Sequence, residues 1–145
     1  MIFYQVIAAI IAVYFTATVF EAPKKLLIHI GLLGGLGWFV YLILINKTNY
    51  IVATYFSSFL IAFISHIAAR KFKIPVTIFF IPSFFPLVPG AKIYQSVYSY
   101  ITNDPQSGNS YFLETIFTSV MIALAILTVD SIFRILYTNI FKNRS

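Results

Sequence analysis

Four of the six prolines stand at positions 75, 82, 86 and 89, inside a segment from Ile74 to Tyr94 that is otherwise apolar enough to cross a membrane. A helix in lipid satisfies its own backbone hydrogen bonds, and each internal proline removes a donor and crowds the carbonyl four residues back. Such an interruption is tolerated only where the freed groups meet protein or a water-filled cavity. The pattern predicts a broken transmembrane helix, a common seat for a transported solute.

Composition extends this to the whole chain. Hydrophobic residues make up 60% of the 145, charged residues only 10%, and the mean hydropathy is +0.90. The expected fold class is an all-α integral membrane protein, because lipid leaves a spanning backbone no other partner than itself. The net charge of +6 lies in short clusters between apolar runs, which marks membrane orientation and not a nucleic-acid surface. Without cysteine there is no disulfide, thiol nucleophile or thiolate metal site, and two histidines 37 residues apart make no metal site either.

Apolar runs of roughly 20 residues, enough for about 30 Å of hydrocarbon, cover Ile2 to Phe20, Leu26 to Ile45 and Tyr50 to Ala69. The fourth segment is the broken one, Ile74 to Thr102. Its halves, Ile74 to Ile81 and Gly90 to Thr102, would rise about 12 and 20 Å as helix, which places the Pro-Gly break near mid-membrane. A polar turn is expected over Asn103 to Ser110, then a last helix from Tyr111 to Tyr137 and a tail Lys142-Asn143-Arg144. The reading is a single transmembrane domain over 1–145, a bundle of about five segments.

Five crossings place Lys24, Lys25, Arg70, Lys71, Lys73, Arg134, Lys142 and Arg144 on one side and only Lys47 in the opposite loops. That bias predicts a multi-pass cell-membrane protein with its N-terminus outside and its C-terminus in the cytoplasm. The first apolar run has no positive residues ahead of it, so it reads as an uncleaved span. Gly31 and Gly35 form a Gly-x-x-x-Gly pair, and Ser58, Ala62, Ser65 and Ala69 a small-residue stripe; both are expected to serve close helix packing.

Candidate chemistry centres on the break. Pro82, Pro86 and Pro89 are expected to leave the carbonyls of Ile78, Pro82 and Phe85 without donors, available to water, a cation or an amine. Gly90 permits a turn, and the half-helix from Ala91 presents free N–H groups and a positive dipole end to a carboxylate. Lys92 adds a full charge there; substrate or gate contact, a structural ion pair and snorkelling are its three readings. Tyr94 and Tyr98, one turn apart, either line the same path or pack as belt aromatics. Asp130 either pairs with Arg134 four residues on or couples protons. Glu114 is a solvated helix-start residue or a gate, and His66 a hydrogen-bonded packing residue or a proton carrier. No His-Glu-x-x-His, Gly-x-Ser-x-Gly or phosphate-binding glycine loop is present, so no enzyme and no cofactor are expected.

The run Phe15-Thr16-Ala17-Thr18-Val19-Phe20-Glu21-Ala22-Pro23-Lys24-Lys25-Leu26 is followed by Gly31 and Leu33-Gly34-Gly35-Leu36-Gly37. Then come Ala69-Arg70, Pro75 and Pro86-Leu87-Val88-Pro89-Gly90-Ala91-Lys92-Ile93-Tyr94. In order and spacing these resemble the threonine/serine exporter family, small-subunit (YjjB-like) type, over nearly the whole chain. His66 departs from the acidic or amide residue found there in many relatives. The resemblance implies export of small hydrophilic metabolites, amino acids such as threonine and serine or dicarboxylates such as succinate, by alternating access together with a larger homologous membrane subunit. A five-span unit that starts outside is also the inverted counterpart of one that starts inside, so the chain reads as half a transporter. The alternatives are a non-transporting membrane scaffold and a passive channel.

Overall fold

The computed structural model describes residues 2–142, with side chains as far as Leu136. The tail residues Asn143 and Arg144, and the side chains of Tyr137 and Lys142, lie outside the described residues. All regular structure among the described residues is helical. Helix α1 spans Ile2–Val19, and a 3-10 turn over Lys24–Leu26 leads into α2, Leu27–Ile45. Helix α3 spans Tyr50–Phe72, α4 Thr77–Ser83, α5 Gly90–Ile101 and α6 Pro105–Lys142. Helices α1, α2, α3 and α6 are each long and apolar enough to cross a membrane, and the bent pair Thr77–Leu87 with Gly90–Ile101 is together long and apolar enough for either a fifth, broken span or a re-entrant loop.

Three helices end without glycine. Glu21, Lys73 and Asn103 adopt φ of 55°, 55° and 59°, the left-handed stop that follows a helix. The N–H of Lys73 closes α3 by bonding the carbonyls of Ala69 and Arg70. Starts are set by side chains: Asn49 accepts from the Val52 N–H at 3.0 Å ahead of α3, and Asp104 accepts from the Ser107 N–H at 3.2 Å ahead of α6. This second cap corrects the expected polar turn. Pro105 fits the first turn of a helix, where its missing N–H is no loss, so Gln106 to Ser110 are already helical and α6 begins six residues early. Gly108 lies under the Tyr100 ring, where an added Cβ would stand 3.1 Å from the ring carbon Cδ2.

The glycines of α2 are spent inside the chain. A Cβ on Gly34 would stand 2.5 Å from Val13 Cγ2, one on Gly35 2.2 Å from Ile10 Cγ1, and one on Gly31 3.2 Å from the Ile10 carbonyl. Gly37 is closed in the same way by Ile61 of α3, 2.3 Å from the position of a Cβ. Val13, Ala17, Ile30, Ile61, Phe79 and Val129 belong to the resulting core, while long apolar side chains such as Phe3, Phe15, Leu32, Leu127 and Ile135 point outward, as a lipid-facing surface requires.

The broken segment differs from expectation in register. Its first helix starts at Thr77, not Ile74, and runs through Pro82 into a 3-10 turn over Phe85–Leu87. The two pieces meet at an angle of 44°. The break sits beside Trp38, Tyr41, Tyr50 and Thr54. Since α2 ends at Ile45 and α3 begins at Tyr50, these neighbours lie up to about 10 Å along their helices from the 46–49 end of the bundle.

Candidate functional site

The break closes one wall of a cavity of about 170 Å³. Pro86, Leu87, Val88 and Pro89 supply the irregular wall, Trp38 and Tyr41 come from α2, Tyr50 and Thr54 from α3, and Glu114 and Thr118 from α6. Ala91 and Lys92 bring the first turn of α5 to its edge. Trp38 and Tyr41 stack with ring centroids 5.1 Å apart, giving the cavity a flat aromatic side. Across it, Lys92 Nζ lies 2.8 Å from Glu114 Oε2 and 5.0 Å from the centroid of the Tyr111 ring. Both charged side chains are only partly enclosed, 43% and 31% exposed, so the pair is reachable from outside the packed core.

The α5–α6 hairpin brings this pair together. Helices α5 and α6 form an antiparallel hairpin closed by Asn103 and Asp104, so residues early in α5 meet residues a few turns into α6. Ser96 donates to the Gly108 carbonyl at 2.8 Å, and Tyr100 donates to Asn109 Oδ1. Lys92, one turn before Ser96, thereby falls opposite Glu114. Glu114 is consequently not a solvated helix-start residue: the early start of α6 puts it almost three turns in, facing Lys92.

The other residues singled out in the sequence divide between the cavity and elsewhere. Pro86, Pro89 and Lys92 belong to the cavity wall. Pro82 lies in a separate hollow with Phe20, Ala22, Thr77, Ile78 and Ile81. Tyr94 and Tyr98 stack on one another at 6.2 Å on the outer face of α5, 69% and 56% exposed. Gly90 has no left-handed φ, and a Cβ there would meet nothing within 4 Å, so the expected glycine turn is absent. The Phe85 carbonyl, expected to be free, accepts from the Val88 N–H at 3.3 Å, because the 3-10 turn supplies an i+3 donor that an α-helix would not.

At the opposite end of the bundle, His66 Nε2 lies 2.5 Å from Asp130 Oδ1. The His66 ring stacks on Phe133 at 4.6 Å, and the Arg70 guanidinium sits 4.7 Å from the centroid of the same ring. Asp130 thus has a partner on another helix, which a reading of α6 by itself offered only as Arg134. Rising numbers in α3 meet rising numbers in α6, Tyr55 with Thr128 at 3.2 Å and His66 with Asp130, so the two helices run parallel. Among the described residues no group of histidine and acidic side chains could hold a metal ion.

Sequence reasoning missed Trp38, Tyr41, Thr54 and Thr118. The only signal for the first two was their four-residue neighbourhood at the end of an apolar helix, and for the threonines their polarity within one.

A family model described as threonine/serine exporter, ThrE, matches residues 5–132, most of the chain. No curated protein and no solved structure matches it. The chain belongs to the threonine/serine exporter family and is a multi-pass membrane protein of that type.

Proposed function

We propose that this member of the threonine/serine exporter family is one subunit of an exporter for small hydrophilic metabolites, with the cavity beside the Pro86–Pro89 break as its solute site. The carrying observation is the Lys92–Glu114 pair at 2.8 Å on that cavity. A zwitterionic amino acid brings one charge of each sign. Its carboxylate suits Lys92 and the first turn of α5, and its ammonium suits Glu114, so the solute exchanges one set of ionic contacts for two others. A dicarboxylate such as succinate suits the site less well, because Glu114 repels its second carboxylate.

The chain is read as half of the transporter. The cavity is lined by α2, α3, the broken segment and α6 and is open at one side, and a larger membrane subunit of the same family would supply the facing wall, with alternating access arising from movement of one half against the other. Cell-membrane placement with the N-terminus outside rests on the bias of basic residues. No enzymatic role is proposed. The ion pair also favours a second reading, a scaffold in which Lys92–Glu114 only ties α5 to α6.

Efflux of preloaded labelled threonine and succinate separates the two. It is measured from cells producing this chain alone, with a larger family subunit, and with that subunit while carrying Lys92→Ala. Export of threonine only by the intact pair, lost in Lys92→Ala with both subunits still assembled, is the expected result. Equal export by the larger subunit without this chain would leave the scaffold reading.

A further inference from the structure

Helix α3 carries polar side chains that the packing does not explain. The hydroxyls of Ser57, Ser58 and Ser65 are fully buried and have no hydrogen-bond partner among the described residues. Hydroxyls in spanning helices ordinarily bond back to the carbonyl four residues before, and elsewhere in this chain they do: Thr16 to Ala12, Thr115 to Tyr111, Ser119 to Thr115 and Thr128 to Leu124, at 2.7–2.9 Å. Three buried exceptions on one helix are costly, because an unmade hydrogen bond in an apolar setting is not repaid. They also share a face. Thr54, Ser58, Ile61 and Ser65 follow at spacings of four, three and four, with Ser57 one turn from Thr54 and Ile61. Thr54 heads the row and lines the cavity. Ile61 on the same face fills the space over Gly37 of α2.

We infer that this face of α3 is the continuation of the solute path, a hydroxyl-lined binding track that takes up water and a hydroxylated zwitterionic solute when α3 parts from α2. The inference rests on the exporter reading and extends it from the cavity about 16 Å down the bundle, the rise from Thr54 to Ser65. The row carries no charge. Neutral hydroxyls donate to a carboxylate and accept from an ammonium or a hydroxyl without holding the solute, which suits a route that must release what it binds. In the closed packing the same hydroxyls have no partner; opening supplies them.

The chain contains no cysteine, so a single introduced thiol is its only one. Ser57→Cys, Ser58→Cys and Ser65→Cys, with Ile67→Cys on the exposed face of α3 as the lipid-facing reference, are produced with a cysteine-free larger subunit and treated in cells with a membrane-impermeant methanethiosulfonate. Modification is followed by mass, with and without millimolar threonine, and threonine efflux is measured on the same cells. Thiols on the track should react at least about tenfold faster than the reference, where lipid excludes the reagent and keeps the thiol protonated, and threonine should slow them. Three substitutions serve as independent trials, and assembly with the larger subunit shows which variants are folded. Reaction no faster than at position 67 in variants that assemble, while the unsubstituted pair exports threonine, overturns the track and leaves the exporter reading intact; fast reaction that threonine does not slow overturns the solute's presence on it. Absence of threonine efflux from the unsubstituted pair strikes the exporter reading instead, and is seen separately.

Discussion

The α1–α2 joint and the inward face of α3 are both built from small residues, yet they behave as opposites. In the first, Gly34 and Gly35 receive Val13 and Ile10 at distances that leave no room for a single added carbon, and Gly31 lies close against the Ile10 carbonyl. In the second, small size comes with a hydroxyl, and Ser57, Ser58 and Ser65 leave theirs unmatched. Separating the first joint loses dispersion contacts and recovers nothing. Separating the second gives buried hydroxyls the partners they lack. Glycines packed only against apolar side chains thus mark the α1–α2 joint as fixed, whereas the α2–α3 joint sets Gly37 against Ile61 beside unmatched serines, which is the joint the proposed track would open.

Substitutions test this contrast, in order of expected effect. Gly34→Leu drives a side chain into Val13 and should cost more than about 3 kcal/mol, seen as loss of monodisperse protein in detergent and a collapsed thermal transition. A well-folded Gly34→Leu protein would show that the joint gives way and end the distinction. Exchanging the charges, Lys92→Glu with Glu114→Lys, keeps the attraction between α5 and α6 but reverses the polarity offered to a solute. Assembly should survive while threonine efflux falls at least about tenfold, equivalent to about 1.4 kcal/mol in the step concerned. Efflux retained in the swapped protein would reduce the pair to a tie between helices.

Ser58→Ala should act in the opposite sense to the glycine change. Removing an unmatched hydroxyl leaves stability unchanged or raises it by up to about 1 kcal/mol, while slowing efflux. A clear drop in melting temperature would mean that the hydroxyl has a partner in the folded protein. The smallest effect belongs to Asp104, outside both joints. Hydrogen bonds from Ser107 hold its carboxyl below the ordinary value of 3.8, so its contribution to the start of α6 is complete at neutral pH and lost only as pH falls through that lowered value. The protection of the Gln106 to Gly108 amides, their hydrogen-exchange rate taken relative to an unstructured amide at the same pH, should fall on strong acidification and stay flat between pH 6 and 8.

Much of this architecture was legible in the sequence because lipid allows so few solutions. Four apolar runs gave four spans, and Pro86 and Pro89 with Lys92 marked the wall of the cavity. What escaped depends on partners distant in the chain or on single caps. Asp104 followed by Pro105 starts a helix just where Pro, Gly and Ser suggested a turn. Lys92 finds Glu114 only once that early start brings α6 around to face α5. The left-handed stops at Glu21 and Lys73 carry no glycine to announce them. His66 and Asp130 are 64 positions apart, and only the parallel run of α3 and α6 brings them together. The unmatched serines were visible as small residues, but a missing bond can be recognised only when every neighbour is known.

Helix α6 carries Glu114 near one end of the bundle and Asp130 near the other, on 38 residues without interruption. The two carboxylates are about 24 Å apart along one rod and point in directions about 160° apart around it. A rod cannot be twisted at one end and left still at the other. Any turn of α6 about its own axis that draws Glu114 from Lys92 also sweeps Asp130 across His66, as a key moves its bit when the bow is turned.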